Sequence, residues 1–175
     1  MAIAQHASRH TGLPMHTVFI AVRAVLFAGA FLLFWLWVAL RIQALDRYLG
    51  ASLPEWMVVF GLLAIVGGAS LVVTCIVLFI VQGRGTPAPF DAPKKFVAVG
   101  PYRIIRNPMY VGGLLLLAGF GFFQQSKAIL LFCPLWFLGA HLFVTLYEEP
   151  VLTEKFGTSY LGYCRSVPRW FPKWL

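Results

Sequence analysis

Long apolar stretches without a charged residue divide the chain into four segments. They are Ala24 to Leu40, Trp56 to Val81, Pro108 to Ser126 and Ala128 to Tyr147. The first extends upstream to Val18 if the Arg23 side chain reaches the membrane surface. At about 1.5 Å per residue, helices of these lengths are close to the roughly 30 Å needed to cross a bilayer. The pattern therefore predicts about four transmembrane helices, the first of them a retained helix and not a signal peptide.

The third and fourth segments are expected to form a tight helical hairpin, because Lys127 alone separates them. Pro108 suits the first turn of a helix, where no amide proton is needed. Pro150 is expected to kink or end the fourth helix. Apolar residues then recur at helical spacing and predict a short cytosolic C-terminal helix folded over the end of the hairpin, interrupted at Gly157. These residues are Leu152, Phe156, Tyr160 and Tyr163.

Composition excludes a water-soluble domain. Of the 175 residues 60% are hydrophobic and 11% are charged, whereas soluble domains are about 45–50% apolar and about 25% charged. The three cysteines are odd in number and far apart, and so predict neither a disulfide framework nor a metal site. We expect an all-α integral membrane protein with one domain over residues 1–175, in which residues 17–81 hold the N-terminal helices.

The net charge of +8 reports membrane topology and does not indicate a nucleic-acid partner, because the basic residues lie between apolar runs. With both termini cytosolic, eleven basic residues lie inside and three outside. The inside set is Arg9, Arg23, Arg84, Lys94, Lys95, Arg103, Arg106, Lys155, Arg165, Arg169 and Lys173, and the outside set is Arg41, Arg47 and Lys127. Trp170, Phe171 and Trp174 are typical of an interfacial anchor for the tail.

Polar residues that could carry chemistry flank the predicted hairpin. Arg106, Asn107 and Tyr110 fall at the start of its first helix, after a turn at Gly100-Pro101. On the fourth helix His141, Thr145 and Glu148 share one face, since they are spaced i, i+4, i+7, and Glu149 follows. Adjacent carboxylates at a membrane boundary need a cation nearby, which is expected to be an Arg of the preceding loop, a cationic ligand, or both. The alternative is that the two carboxylates only mark the cytosolic end of the helix.

Two separated motifs, GPYRIIRNPMYVG and LYEEPVLTEKFGTSYLGYCRSVPRWFP, give the chain a family resemblance. Together they closely resemble the isoprenylcysteine carboxyl methyltransferases and the related phospholipid methyltransferases, which are integral-membrane enzymes that use S-adenosylmethionine. The resemblance covers residues 89–172, which it identifies as the cofactor-binding core. It implies a membrane methyltransferase whose partners are the bilayer and a lipophilic or small acceptor. The oligomeric state is left open.

The resemblance also implies a set of cofactor contacts. They are Lys94, Lys95, Phe96, Val97, Tyr102, Asn107, Pro108, Met109, Tyr110 and Glu148. Asn107 stands where the family has His, and an acid/base role is not expected there because Asn does not titrate near neutral pH. Independently of the resemblance, Glu148, Tyr102, Tyr110 and Arg106 supply the acceptors, aromatic surface and cation that S-adenosylmethionine needs.

The candidate catalytic residues are His141, Glu149 and Arg106. An ammonium acceptor would have to lose a proton first, for which His141 or Glu149 could serve as the base. The alternative for His141 is a neutral side chain that bonds a neighbouring helix. The resemblance places Val144 where prenylcysteine enzymes have an Arg for the substrate carboxylate. We therefore expect a different acceptor, with a lipid amine slightly preferred over a thiol or hydroxyl.

A non-enzymatic function fits the four apolar segments and the basic loops equally well. Such a protein would be a small membrane bundle or subunit whose cytosolic loops bind a partner. It leaves unexplained why Tyr102, the RNPMY segment and the EEP segment occur at the two cytosolic ends of one hairpin. We therefore expect an enzyme.

Overall fold

The described residues form helices and turns, and no strand occurs among them. A computed structural model describes residues 15–50, 53–83 and 97–172. The helices are α1 Met15–Gln43, α2 Met57–Leu78, α3 Pro108–Phe123, α4 Lys127–Phe143, α5 Glu149–Phe156 and α6 Thr158–Ser166. Short 3-10 turns cover Ala44–Tyr48 and Gly100–Arg103, and π turns cover Phe79–Gly83 and Val144–Glu148.

Three helical stretches are long and apolar enough to cross a membrane, namely Val18–Tyr48, Met57–Gly83 and Lys127–Phe156. The chain is therefore an integral membrane protein. Helix α3 is apolar as well but has only 16 residues, or about 24 Å at 1.5 Å per residue.

Helices α2 and α3 pack backbone to backbone at two pairs of glycines. A Cβ atom placed on Gly61 would lie 2.8 Å from the Gly119 carbonyl oxygen, and one on Gly68 would lie 2.7 Å from that of Gly112. On each helix the two glycines are seven residues apart, so they recur on the same face of the helix. Close approach through small residues is a common way for helices to associate in lipid.

We expect Gly68→Ala to destabilise the protein by about 1–3 kcal/mol, the usual cost of forcing a methyl group into a packed interface. Gly67→Ala is the matched control, because nothing lies within 4 Å of a Cβ at that position. Alanine favours a helix over glycine by about 1 kcal/mol, so the control should be neutral or slightly stabilising. Thermal unfolding in one detergent compares the two. Equal midpoints would mean that α2 and α3 do not touch at Gly68.

The predicted hairpin of α3 and α4 is present, and its turn is held by two caps. Ser126 caps α4 by accepting a hydrogen bond from the Ile129 amide at 3.2 Å. Asp46, from the turn after α1, accepts a second bond from the Ala128 amide at 2.8 Å. Both acceptors satisfy amides that the first turn of a helix leaves unpaired. The end of α1 is thereby fixed to the start of α4.

The sequence predicted that Pro150 kinks or ends the fourth helix. The prediction that the helix ends there is wrong. The helix continues through the π turn at Val144–Glu148 into α5, and Pro150 lies in the first turn of α5, where its missing amide proton costs least. The interruption predicted at Gly157 is confirmed, since this residue has φ 54° and separates α5 from α6. The tail thus contains two short helices and not one.

Candidate active site

A cavity of about 630 Å³ lies between α1 and the bundle formed by the other helices. It has the size of a typical small-molecule site. Every described helix contributes to its lining, which is polar where α3 begins and the π turn of Val144–Glu148 ends, and apolar elsewhere. The hairpin explains this arrangement, because it brings the start of α3 beside the end of α4.

The polar end is centred on a hydrogen bond between two predicted site residues. The Tyr110 hydroxyl donates to Glu148 Oε2 at 2.7 Å, and both residues line the cavity. Glu148 is the last residue of the π turn, whose wider winding changes the register between α4 and α5. π turns of this kind are frequent at functional sites.

Glu149 binds two arginines beside this pair. Arg106 Nη1 lies 2.9 Å from Glu149 Oε1. The Arg169 guanidinium donates to both carboxylate oxygens, from Nε at 2.8 Å and from Nη2 at 2.9 Å. The hydrogen bonds to Glu149 raise the pKa of Arg169. The cation expected near the adjacent carboxylates is therefore Arg106, together with a second arginine from the tail.

Arg106 has donor groups beyond this ion pair. Its Nη1 also lies within hydrogen-bond distance of Cys164 Sγ, at 2.9 Å. Its Nε is buried and has no hydrogen-bond partner among the described residues. The side chain lines the cavity and is 12% exposed. A guanidinium at the wall of a cavity fits an anionic or carbonyl group of a ligand.

The last described residues, 167–172, form a segment that lies across the start of α3 and that we call the strap. The Arg106 amide donates to the Pro168 carbonyl oxygen at 2.8 Å, and Asn107 Nδ2 donates to the Arg169 carbonyl oxygen at 3.2 Å. Trp170 Nε1 donates to His141 Nδ1 at 3.0 Å. Trp170 thus packs onto the bundle, whereas Phe171 is 75% exposed.

Tyr102 joins the site to α2 and α6. Its carbonyl oxygen accepts a hydrogen bond from the Tyr163 hydroxyl at 2.6 Å, and its ring packs edge-on against Phe79 at 5.6 Å. Tyr102 is 7% exposed and lines the cavity. Burial raises the pKa of Tyr102 well above its ordinary value, and burial also raises the pKa of Tyr163. Both phenols therefore stay neutral at physiological pH.

The apolar part of the cavity runs between α1 and α4. Helix α1 is buried at Ile20 and Ala24 towards one end and at Ala39 towards the other. Between these contacts one face of α1 lines the cavity with Phe27, Ala28, Phe31, Leu32 and Trp35. Phe132 and Trp136 of α4 form the facing wall. This part lacks charged side chains among the described residues and suits a lipophilic molecule.

The structure brings most of the predicted site residues to this cavity. Its lining includes Val97, Tyr102, Arg106, Asn107, Met109, Tyr110, Glu148 and Glu149. Pro108 is buried in the first turn of α3, and His141 contacts Trp170; neither belongs to the described lining. Lys94, Lys95 and Phe96 lie outside the described residues.

Sequence reasoning missed the tail residues and the face of α1. Trp170 was expected only in an interfacial anchor and Arg169 only among the cytosolic basic residues, but Trp170 binds His141 and Arg169 binds Glu149. Their mixture of aromatic and basic residues does not distinguish the two functions. For α1, the recurrence of Phe27, Phe31 and Trp35 every four residues was an available signal of a shared face.

Comparison with known proteins gave one result. The sequence profile of the phospholipid methyltransferases matches residues 56–159, more than half of the chain. Neither the curated proteins nor the solved structures gave a match. The matched range covers α2 to α5, including Tyr102, Arg106, Tyr110 and both adjacent carboxylates, while α1 and the strap lie outside it. The resemblance noted from the two motifs is confirmed: the chain belongs to the phospholipid methyltransferase family, a family of membrane methyltransferases.

Proposed function

We propose that the protein transfers a methyl group from S-adenosylmethionine to a lipophilic acceptor held in the apolar part of the cavity. The observation that carries this proposal is the Tyr110–Glu148 hydrogen bond at the polar end of a cavity that continues into an apolar chamber. One end offers charged and polar groups to a water-soluble methyl donor. The other offers aromatic walls to a molecule from the bilayer.

The residues at the polar end fit the chemistry of S-adenosylmethionine. Its ammonium and ribose hydroxyls need acceptors, which Glu148 and the Tyr110 oxygen supply. Its carboxylate needs a cation, and the Arg106 side chain lines the cavity. Its adenine needs a flat or apolar surface, which Tyr102 and Met109 offer. When bound there, S-adenosylmethionine supplies an electrophilic methyl group on a positively charged sulfur.

The chain's own residues contribute binding, orientation and exclusion of water. Glu148, whose second oxygen is free of the bond to Tyr110, attracts positive charge at the polar end. Both oxygens of Glu149 are bound by arginines, so we propose that it organises the site by fixing Arg106 and Arg169. Methyl transfer needs close alignment of donor and acceptor more than acid/base assistance, and the aromatic walls exclude water during it.

The acceptor is proposed to be a lipid amine that enters from the bilayer. Val144 lines the cavity and is 1% exposed, so the position that carries an Arg in the prenylcysteine enzymes is apolar here. Arg103, which could have replaced that Arg, is exposed and does not belong to the described lining. The chamber reaches Trp136, twelve residues or about 18 Å along the helix from Glu148. That depth accommodates an acyl chain.

The proposed topology has four spanning helices with both termini in the cytosol. Arg103, Arg106, Arg165 and Arg169 belong to the turns and tail at the Glu148 end of the bundle. Arg41, Arg47 and Lys127 lie at the opposite end. Basic residues concentrate on the cytosolic side of membrane proteins. This orientation also exposes the polar end of the cavity to the compartment that contains S-adenosylmethionine.

An acceptor panel with methyl-labelled S-adenosylmethionine tests the acceptor. We expect the purified protein to label phosphatidylethanolamine in preference to prenylcysteine analogues and small thiols. Val144 lines the cavity where the prenylcysteine enzymes have an Arg, and a valine cannot pair with the carboxylate of a prenylcysteine. The same panel with boiled protein is the control for chemical methylation. Formation of a methyl ester on a prenylcysteine, with no lipid labelling, would contradict the proposed acceptor while leaving the methyltransferase activity in place.

A further inference from the structure

His141 lies on α4 beside the strap, and its ring is already engaged by a strap residue. Trp170 Nε1 donates to His141 Nδ1 at 3.0 Å. An indole nitrogen is a donor only, so Nδ1 must carry a lone pair, and the proton of the neutral imidazole is on Nε2. The two rings also pack against each other, with centroids 6.0 Å apart.

The strap that Trp170 fixes in this way contacts the polar end of the cavity through its two preceding residues. Pro168 and Arg169 present carbonyl oxygens to the Arg106 amide and to Asn107 Nδ2. The Arg169 side chain binds Glu149. The strap therefore supports the same side chains that the proposed cofactor site uses.

Trp170 also supports Tyr110 directly. Its indole lies edge-on to the Tyr110 ring at 6.2 Å and to the Phe137 ring at 5.0 Å. Tyr110 donates the hydrogen bond to Glu148 that forms the centre of the polar end. An unbroken set of contacts therefore runs from His141 through Trp170 and Tyr110 to Glu148.

We infer that His141 is a positioning residue: its Nδ1 accepts a hydrogen bond from Trp170 and so holds the strap and the Tyr110 ring in place for the methyl donor. It does not take the proton of the acceptor. Two observations favour this role over that of a base. Nδ1 faces Trp170, and His141 is absent from the described lining of the cavity, in which Glu148 and Glu149 are present. The inference rests on the proposed function for its effect on catalysis, but not for its effect on the strap.

Three variants separate a hydrogen-bond acceptor from a base. In His141→Asn the Oδ1 atom can occupy the place of Nδ1 and accept from Trp170, but the side chain cannot take a proton near neutral pH. His141→Leu has a similar size and no acceptor. Trp170→Phe keeps an aromatic ring and removes the donor, which gives a second way to break the bond without emptying the space that His141 fills.

Hydrogen exchange of the strap amides, measured by mass spectrometry on the holoprotein in detergent, is the readout independent of activity. Exchange should be faster by about fivefold in His141→Leu and Trp170→Phe, the effect of losing one net hydrogen bond, and close to wild type in His141→Asn. Exchange in α2, which takes part in none of the strap contacts given above, monitors global unfolding. Unchanged strap exchange in both variants that lack the bond would overturn the inference.

Affinity for S-adenosylhomocysteine and the rate of methyl transfer are measured on the same samples. His141→Asn should retain both within about twofold, whereas His141→Leu and Trp170→Phe should weaken affinity by about fivefold. Loss of methyl transfer in His141→Asn with normal strap exchange would identify His141 as the base and overturn the inference. If the wild-type protein neither binds nor turns over the cofactor, the proposed function fails. Hydrogen exchange of the strap amides still tests whether the hydrogen bond from Trp170 to His141 holds the strap.

Discussion

Replacing Glu148 with Gln should weaken the binding of S-adenosylhomocysteine by at least about tenfold, which corresponds to the roughly 1.5 kcal/mol of a charge-assisted hydrogen bond. The substitution removes the negative charge at the polar end of the cavity and changes the shape of the side chain little. Tyr110 can still donate to the remaining amide oxygen. Calorimetry on the detergent-solubilised protein measures the affinity directly.

Two further variants make this result specific. Glu154→Gln removes a carboxylate from the exposed surface of α5, outside the described cavity lining, and should leave the affinity unchanged. Tyr110→Phe deletes the hydroxyl and should cost less than Glu148→Gln, and the double variant should cost less than the sum of the two single effects because the residues interact. An unchanged affinity in Glu148→Gln would leave the adjacent carboxylates as a marker of the helix end only.

Replacing Glu149 with Ala should be the most destabilising change at the site. The carboxylate is 18% exposed and binds Arg106, which is 12% exposed, and Arg169. Its removal leaves a mostly buried guanidinium without its anionic partner and detaches the strap from α5. We expect a loss of about 2–3 kcal/mol, the scale of hydrogen bonds to charged groups. Thermal unfolding in detergent, with and without S-adenosylhomocysteine, measures it.

The control for this substitution is Glu154→Ala on the same short helix, whose carboxylate is exposed. It should change the unfolding midpoint little, since exposed ion pairs contribute at most about 1 kcal/mol. Equal midpoints for Glu149→Ala and Glu154→Ala would mean that the two arginines do not hold the tail. A stable Glu149→Ala protein that still bound S-adenosylhomocysteine but had lost methyl transfer altogether would instead assign Glu149 a direct role in the reaction.

The helices could be predicted from the sequence because lipid imposes a strict requirement on the backbone. A segment in hydrocarbon must satisfy its own amides and carbonyls, so uncharged stretches such as Ala128 to Tyr147 can only be helical. The hairpin followed from the single charged residue between two such stretches. The end of the fourth helix could not be predicted from the sequence. Proline is tolerated in the first turn of a helix, where Pro150 lies, and the composition of the π turn before it does not distinguish that turn from an ordinary helix.

The candidate site was predictable for the residues at the start of α3 and at the end of the fourth helix, and not for those that come from the tail. Tyr110 and Glu148 were predicted to share a pocket because the hairpin brings them together, and they are hydrogen-bonded. Arg169 and Trp170 reach Glu149 and His141 only through the turn at Gly157 and the path of α6. Such a path depends on contacts between residues far apart in sequence. Local periodicity carries no information about them.

The proposed reaction is the transfer of a methyl group, in this cavity, from S-adenosylmethionine to a molecule from the bilayer. The most direct measurement is a single-turnover reaction of the purified protein in nanodiscs made from natural membrane lipids, with methyl-labelled S-adenosylmethionine. We expect the label to enter the lipid extract with wild-type protein and to be strongly reduced with Glu148→Gln. Label that stays in the aqueous phase, together with wild-type protein that does not bind S-adenosylhomocysteine, would contradict it.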